Sequence, residues 1–316
     1  MIGRAALTLI LFAATPRSSD GQSSLQFLLR GIDAETAGTA DSGIGSTQAT
    51  FAAFWNPAGI ADARSVRARS LYDGSDRENA NNEIGITHHI WIGDTRTYGV
   101  GGRFGAGRKA GVGVFAAATD ATGVDPDGPE ESDAINFVGG LTYARAVGRL
   151  QVGLTAKFVS QHVSSLASRG VAVDVGAILD YADRGARLGI AVKHVGRMSE
   201  SETIPTDLPA VVQFGAAVYP FQVVAVDDGF PLLDLMLSVE VTQGIEQDLT
   251  RIHAGASGVL LNTLIARAGY VTDDPLRGPT LGLGLHYAAF NFDYAVVPFS
   301  DGFGGPGHLL TLTYGW

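Results

Sequence analysis

Seven charged residues lie within segments that otherwise alternate between apolar and small or polar side chains. They are Lys157, Asp174, Lys193, Glu240, Arg251, Arg267 and Asp293. Opposite charges on neighbouring strands attract each other and help to set the register of a sheet. These residue types allow two kinds of role, which are a structural network of ion pairs and a polar pathway or ligand contact.

Signatures of catalysis and cofactor binding are absent from the sequence. The chain has no G-x-x-x-x-G-K-[ST] phosphate loop, no G-x-S-x-G nucleophile turn and no H-E-x-x-H zinc motif. His88 and His89 are adjacent, so on a strand they point to opposite faces and cannot bind one metal ion together. The acidic segment 120–133 lacks the spacing of a calcium loop and is predicted to be a solvated loop. We expect no catalytic residue, no metal and no cofactor, and hence a protein that is not an enzyme.

The composition narrows the class of protein further. Glycine accounts for 42 of the 316 residues, roughly twice the usual share, and there is no cysteine. The formal net charge is −10 without any Lys/Arg cluster, so a nucleic-acid partner is not expected.

The elements that position the seven charges are predicted to be long β-strands. From about residue 82 onward the chain alternates with a period of two residues. Such runs cover 84–92, 96–104, 109–119, 134–146, 149–161, 170–181, 186–196, 210–220, 232–242, 249–258, 263–272, 278–288, 289–297 and 307–315. A tilted strand that crosses a membrane needs roughly 9–11 residues, whereas strands of soluble proteins average about 5–6.

The connections between these runs alternate in length, as they do in outer-membrane barrels. Segments 120–133 and 197–209 are long, whereas 147–148 and 182–185 are short. The sequence therefore predicts an all-β protein, a transmembrane antiparallel β-barrel of about fourteen strands in the outer membrane of a Gram-negative-type bacterium, surrounded by lipid. The alternative is a soluble β-sandwich with one apolar face.

Charges that face lipid are costly, so the seven charged residues are predicted to point into the lumen of the barrel. Turn centres place Lys157 opposite Asp174, Asp174 opposite Lys193, and Glu240 opposite Arg251. Arg267 and Asp293 lie on the polar faces of their strands.

Both ends of the chain carry targeting features. Arg4 followed by the apolar run 5–14 predicts a signal peptide over residues 1–21. At the other end, Leu312, Tyr314 and Trp316 share one face of the last run, and the two aromatic residues suit an interfacial girdle. This pattern resembles the last-strand signal that the barrel assembly machinery recognises.

The stretch FAAFWNPAGI lies before the strands and is predicted to end a segment that enters the lumen. Pro57 cannot donate a ladder hydrogen bond, Asn56 can bond to its own backbone, and Gly59 allows a tight turn. We predict a hatch-like segment over 22–63 with its turn at Trp55, Asn56, Pro57 and Gly59, a link over 64–83 and the barrel over 84–316. Phe51, Phe54 and Trp55 are candidate contacts for a hydrophobic ligand.

Ordered motifs across most of the chain resemble the PorV/PorQ family within the wider FadL-like group of barrels. They include FLLRGIDAETAG, FWNPAG, VGLTAKFVSQHV, GVAVDVGAILDY, LGIAVKHVG, PTLGLGLHY and HLLTLTY. The resemblance implies a barrel of about fourteen strands and a part in type IX secretion, with exported proteins or secretion components as partners.

Two functions remain open. The first is a non-enzymatic barrel that binds cargo or translocon partners through its long outer loops in type IX-like secretion or surface attachment. The second is a FadL-like transporter of hydrophobic small molecules. A continuous apolar pocket beside the hatch-like segment favours transport, and a lumen filled by charged side chains favours protein binding.

Overall fold

The computed structural model describes most of the chain after the predicted signal peptide, which lies outside the described residues. The described ranges are 25–47, 50–61, 82–107, 109–124, 131–163, 166–181, 185–199, 207–220, 222–224, 231–261, 263–300 and 304–316.

Fifteen strands form one antiparallel sheet, and fourteen of them close into a barrel. They are β1 (Asn82–Ile90), β2 (Arg96–Gly105), β3 (Ala110–Val124), β4 (Glu131–Val147), β5 (Leu150–Val163), β6 (Leu166–Tyr181), β7 (Ala186–Met198), β8 (Val211–Val218), β9 (Gln222–Val224), β10 (Pro231–Gly244), β11 (Thr250–Leu260), β12 (Leu264–Val271), β13 (Pro279–Tyr287), β14 (Phe290–Val297) and β15 (Gly307–Gly315). Each strand pairs with the next along the chain except β8, which pairs with β10 and not with β9, and β1 pairs with β15 to close the ring. The short β9 extends the pairing of β8 with β10 beyond Pro220, whose missing N–H interrupts the ladder. The predicted fold class is confirmed.

The outer surface of the barrel is apolar and the inner surface is polar or small. On β5, Val152, Leu154 and Phe158 are exposed on the outside, while Thr155 and Lys157 are buried inside. Because side chains alternate along a strand, the period-two pattern of the sequence sorts residues between lipid and lumen.

Aromatic side chains form a girdle near the end of the barrel that carries the short turns. Exposed aromatic residues there are Phe104, Tyr143, Tyr287, Phe290, Tyr314 and Trp316. Tyr314 stacks on Trp316 with 5.7 Å between ring centroids. Turns on the periplasmic side of such barrels are short, so this end faces the periplasm.

Two outer hairpins are longer than the sequence predicted. β3 continues to Val124 and β4 starts at Glu131, so much of the predicted loop 120–133 is strand, and 125–130 lies outside the described residues. β6 starts at Leu166, four residues earlier than predicted. Beyond the membrane a hairpin can carry polar side chains on both faces, so polarity does not mark where its strands end.

The described residues between 25 and 61, here called the plug, lie inside the barrel. They form two short helices, α1 (Ala34–Ala37) and α2 (Ala52–Trp55), and 3₁₀ turns at Gln26–Leu29 and Pro57–Ile60. A third 3₁₀ turn, Ile92–Asp94, follows β1. Among the described residues no helix is long and apolar enough to cross a membrane.

Candidate functional site

The plug contacts inward-facing residues of all fourteen barrel strands. Several of these contacts are possible only because the wall carries glycine. A Cβ on Gly153 would overlap Pro57, a Cβ on Gly176 would overlap Asn56, and a Cβ on Gly189 would overlap the Ile44 carbonyl. The inner-face glycines therefore accommodate the backbone of the plug.

The predicted turn at residues 55–59 is the end of the plug that lies nearest the periplasm. Asn56 Oδ1 accepts a hydrogen bond from Ala58 N (3.1 Å), and its Nδ2 donates to Ile44 O (2.8 Å). Pro57 starts the following 3₁₀ turn, where its missing N–H has no cost. Gly59 lies within that turn and has no positive φ, so a tight left-handed turn is not the reason for glycine there.

Trp55 joins the two halves of the plug. Its Nε1 donates to Asp33 Oδ2 (2.6 Å), and Asp33 Oδ1 accepts from Thr36 N (2.8 Å) to cap α1. Burial raises the pKa of Asp33 above its ordinary value, and the hydrogen bonds from Thr36 and Trp55 oppose that rise.

The aromatic residues of α2 are packed against two lysines of the wall. Lys157 Nζ lies 5.4 Å and Lys193 Nζ 5.3 Å from the centre of the Phe54 ring, and Lys193 Nζ lies 5.4 Å from that of Trp55. All three distances suit cation–π attraction in a desolvated site. Phe51, Phe54 and Trp55 are all buried. A ligand-binding role for these three residues stays a prediction.

Lys157 and Asp174 form a fully buried ion pair, although they are not directly opposite each other. Lys157 faces Ala172, and Thr155 faces Asp174, so the predicted register was wrong by two residues because the β5–β6 hairpin closes earlier. Both side chains still face inward, since an even shift preserves the face.

The pairing predicted between Asp174 and Lys193 is also wrong. A bulge between β6 and β7 brings His194, with a φ of 61°, to Asp174, and His194 N donates to Asp174 Oδ1 (2.8 Å). Among the described residues no ion pair links Lys193 to Asp174. Lys193 faces inward with Arg187 and Ala191 by the ordinary alternation of β7, and its Nζ lies against the aromatic rings of the plug.

Glu240 and Arg251 do not pair, contrary to the prediction. Glu240 faces His253, and its carboxylate accepts from Ile44 N (2.9 Å) and Gln213 Nε2 (2.8 Å). Arg251 lies 3.7 Å from Asp274 in the β12–β13 connection. The β10–β11 turn is one residue off the predicted centre, which moves the facing pairs by two positions.

Arg267 and Asp293 form an ion pair across an intervening strand. Arg267 Nη1 donates to Asp293 Oδ1 (2.7 Å), and between them β13 presents Gly282 and Gly284. Glycine leaves the space through which the guanidinium passes, since a Cβ on Gly284 would lie 2.9 Å from Arg267 Nη1. Glu35 on the plug lies 3.7 Å from Arg267, but its side chain is mostly exposed within the lumen.

Several residues that hold the plug were not among the predicted site residues. Glu83 accepts from Thr50 N (3.1 Å), Arg103 Nε donates to Ile60 O (3.0 Å), and His89 Nε2 donates to Ile32 O (2.7 Å). Thr311 and Thr280 accept from Ala34 N (2.9 Å) and Ala40 N (3.0 Å). The feature of the sequence that could have identified these residues is their position on the inward face of an alternating strand.

A charged cluster near the outer end links a loop to the plug. Arg277 contacts Asp41 (2.5 Å) and Asp274 (3.0 Å). Burial alone would raise the pKa of Asp274, but the guanidinium groups of Arg277 and Arg251 outweigh it and hold the pKa below its ordinary value.

A small cavity lies between the plug and the outer half of the wall. Its volume is about 30 Å³, which gives room for one or two water molecules. It is lined by Phe27, Arg30, Gly31, Ile32, His89, Trp91, Thr95, Thr97, Ala117, Thr119 and Val138.

Histidines and carboxylates do not assemble into a metal site in the part of the chain that the structure describes. His89 is buried in the lumen, whereas His88 stacks on the outward Tyr98 with 4.7 Å between ring centroids. The two rings therefore point to opposite faces, as the sequence predicted.

Solved structures with the same fold are outer-membrane barrels. The chain resembles the deltaS2 mutant of the TodX monoaromatic hydrocarbon channel with a TM-score of 0.50 and 14% identity, over 90% of this chain and 99% of that one. A Pseudomonas aeruginosa FadL homologue aligns at a TM-score of 0.49 and 12% identity, over 90% and 98%. CdiB from Acinetobacter baumannii aligns at 0.41 and 10% identity, and the match spans only 60% of that chain.

No protein-family model and no curated protein matches the sequence. The closed fourteen-stranded barrel, its apolar exterior and its fold likeness place the protein in the Gram-negative outer membrane. Its fold is that of an outer-membrane β-barrel. Membership of the PorV/PorQ family stays a prediction.

Proposed function

We propose that this protein is a non-enzymatic barrel that binds exported proteins or secretion partners at its outer surface. The observation that carries the proposal is the sealed lumen. This role agrees with the type IX-like secretion or attachment function that the PorV/PorQ resemblance implies.

The seal depends on wall side chains that satisfy the irregular backbone of the plug. Glu240, Glu83, Thr280 and Thr311 accept plug N–H groups, while Arg103 donates to a plug carbonyl. Buried backbone groups left without partners are costly in a site that excludes water. A solute that crossed the lumen would have to break many of these bonds.

Among the described residues, the cavity beside the plug is too small for a conduit. A cavity of about 30 Å³ holds water but no hydrocarbon ligand, and Phe51, Phe54 and Trp55 are buried rather than open to it. Such a lumen favours a barrel that works through its outer hairpins, of which β3–β4 is the longest that the structure describes.

A second candidate function is the transport of small apolar molecules. Two observations favour it, namely the fold likeness to a monoaromatic hydrocarbon channel and the aromatic lining of the cavity by Phe27 and Trp91. Transport would require the plug to move, whereas partner binding at the outer surface would not.

A reversible disulfide between the plug and the wall can distinguish the two functions experimentally. Ser42 Oγ on the plug and Ser238 Oγ on β10 lie 2.6 Å apart, and the chain has no cysteine of its own. A Ser42→Cys/Ser238→Cys double variant should therefore form one disulfide that ties the plug to the wall. Ser42→Cys alone is the matched control.

The tagged proteins are captured from cells of the native host under oxidising and reducing conditions. We expect the locked protein to bring down the same exported proteins or secretion components as the control. In parallel, proteoliposomes are tested for uptake of a labelled aromatic hydrocarbon. Uptake that the oxidised lock abolishes and reductant restores, together with no captured protein, would overturn the proposal in favour of transport.

A further inference from the structure

The barrel has one seam that joins distant parts of the chain. All other neighbouring strands in the ring follow one another closely in sequence, whereas β1 pairs with β15 across most of the chain, with Glu83 opposite Gly315 and Ile90 opposite His308. Contacts between residues far apart in sequence form late, because the entropy of a long loop must be overcome first. Closure of this seam is therefore the step that most needs assistance.

A chain of hydrogen-bonding groups crosses the seam and returns to the plug at both ends. Thr87 on β1 faces Thr311 on β15, and their hydroxyl oxygens lie 2.9 Å apart. Thr311 accepts from Ala34 N, and His89 beside Thr87 donates to Ile32 O. Two plug residues on either side of Asp33 thus hold the first and last strands together.

Apolar packing covers the same seam. Ala34 and Ala37 of α1 pack in one buried cluster with Leu309 of β15 and two residues of β14. Trp91, which follows β1, packs against this cluster from the other side of the seam. The plug therefore contributes both polar and apolar contacts at the place where the ring closes.

The plug fits tightly against the wall of the barrel. Its backbone lies against glycines on opposite parts of the wall, at Gly153 and Gly269, where even a methyl group would overlap Pro57 or Ala40. Such a close fit favours an order of assembly in which the strands wrap around a plug that is already in place.

We propose that the plug is an internal template for barrel closure, which brings β15 to β1 during assembly. The role concerns assembly and does not depend on whether the mature protein binds partners or transports a solute. It assigns Thr311 as the positioning residue of the seam.

The test compares three buried threonines changed to the isosteric valine in the full chain. Thr311→Val loses the bond to the plug and the bond across the seam. Thr87→Val loses the bond across the seam but leaves Thr311 bonded to the plug. Thr280→Val loses bonds to the plug at Ala40 and Gly38, but on β13, away from the seam.

Each protein is unfolded in urea and refolded in detergent micelles, and folded barrel is followed by its heat-modifiable gel mobility. We expect Thr311→Val to slow folding about fivefold, which is the effect of losing its hydrogen bond to the plug, and both controls to stay within about twofold. Equal slowing by Thr280→Val or by Thr87→Val would overturn the template, as would an effect of Thr311→Val on unfolding alone.

A second variant keeps the experiment decisive if Thr311→Val gives no folded barrel. Ala34→Pro removes the N–H from which Thr311 accepts and leaves the bond between Thr311 and Thr87 in place, and proline is tolerated at the first residue of a helix. Slow closure by Ala34→Pro supports the template, and folding at the wild-type rate contradicts it.

Discussion

Substituting Lys157 is the most direct test of whether the buried charges in the lumen stabilise one another. Lys157 and Asp174 form an ion pair in which both side chains are 0% exposed. Breaking a buried pair from one side costs about 3–5 kcal/mol, because the remaining charge stays buried. Asp174 keeps one hydrogen bond from His194 N, which moves the expected loss for Lys157→Ala toward about 3 kcal/mol. Loss of the cation from the faces of Phe54 and Phe115 adds to it.

A double-mutant cycle isolates the pair from these other contacts. We expect Asp174→Ala to cost about as much, since Lys157 would then lie buried near Lys193 without its carboxylate. The double variant should cost much less than the sum, which gives a coupling free energy of about 2–3 kcal/mol.

Urea unfolding in detergent micelles, read by heat-modifiable mobility, measures each free energy of unfolding. Lys109→Ala in the exposed β2–β3 turn is the matched control and should stay within about 0.5 kcal/mol of wild type. A coupling free energy below about 0.5 kcal/mol would refute the reasoning that the two residues act as one buried pair.

Three further predictions concern the plug and the girdle. Gly176→Ala should lower the free energy of unfolding by about 1–3 kcal/mol and raise the conductance in planar bilayers, whereas Gly258→Ala, whose added methyl group would meet only an ordinary contact with Leu233 at 3.8 Å, should do neither. Trp55→Phe removes a hydrogen-bond donor to the Asp33 carboxyl and should cost about 1.5–3 kcal/mol at pH values where that carboxyl is ionised but less where it is protonated, by urea titration at each pH. Deleting Trp316 should lower the yield of heat-modifiable barrel in cell membranes more than it lowers export of the unfolded chain.

The sign of the pH effect follows from the raised pKa of Asp33. Burial makes the ionised form of Asp33 less favourable in the folded protein, so the free energy of unfolding falls as pH rises from 3.8 through the folded pKa. The hydrogen bond from Trp55 opposes the rise in pKa, so Trp55→Phe extends the pH range over which stability is lost. Trp91→Phe is the control, because Trp91 Nε1 has no hydrogen-bond partner. A pH-independent loss for Trp55→Phe, or an unchanged barrel yield without Trp316, would contradict these expectations. Equal effects of the two glycine variants would show that plug fit does not matter at Gly176.

The strands and their faces could be predicted because lipid and lumen impose a period of two residues on the sequence. Lys157, Arg267 and Asp293 point inward for this reason alone. On β15, Leu312 and Tyr314 are exposed outside, as expected. The outside of the barrel contacts lipid, so the side chains that face it must be apolar, and this requirement is visible in the sequence.

The pairing of charges could not be predicted, because it depends on where each hairpin turns. Polarity does not mark the turn of a hairpin that extends beyond the membrane, so the β5–β6 turn was placed too far along the chain. A bulge such as the one at His194 cannot be recognised from the period-two pattern of the sequence. The Lys157–Asp174 contact survived the error because long side chains reach a diagonal neighbour.

The plug was predicted as a segment, but its contacts were not. Its backbone is irregular, so no period links Ala34 to Thr311 or Ile44 to Glu240. These bonds join residues that only the closed ring brings together. The position of Asn56 and Pro57 could be predicted because their turn chemistry is local.

The glycines of the inner wall also imply a pattern of mutational tolerance. A glycine such as Gly153 or Gly189 cannot accept even alanine without displacing the plug, whereas Gly305 has nothing within 4 Å of an added methyl group. Variation in the wall is therefore tied to variation in the plug, and a longer side chain in one must be matched by a shorter one in the other. The two parts of the chain should therefore evolve as a matched pair.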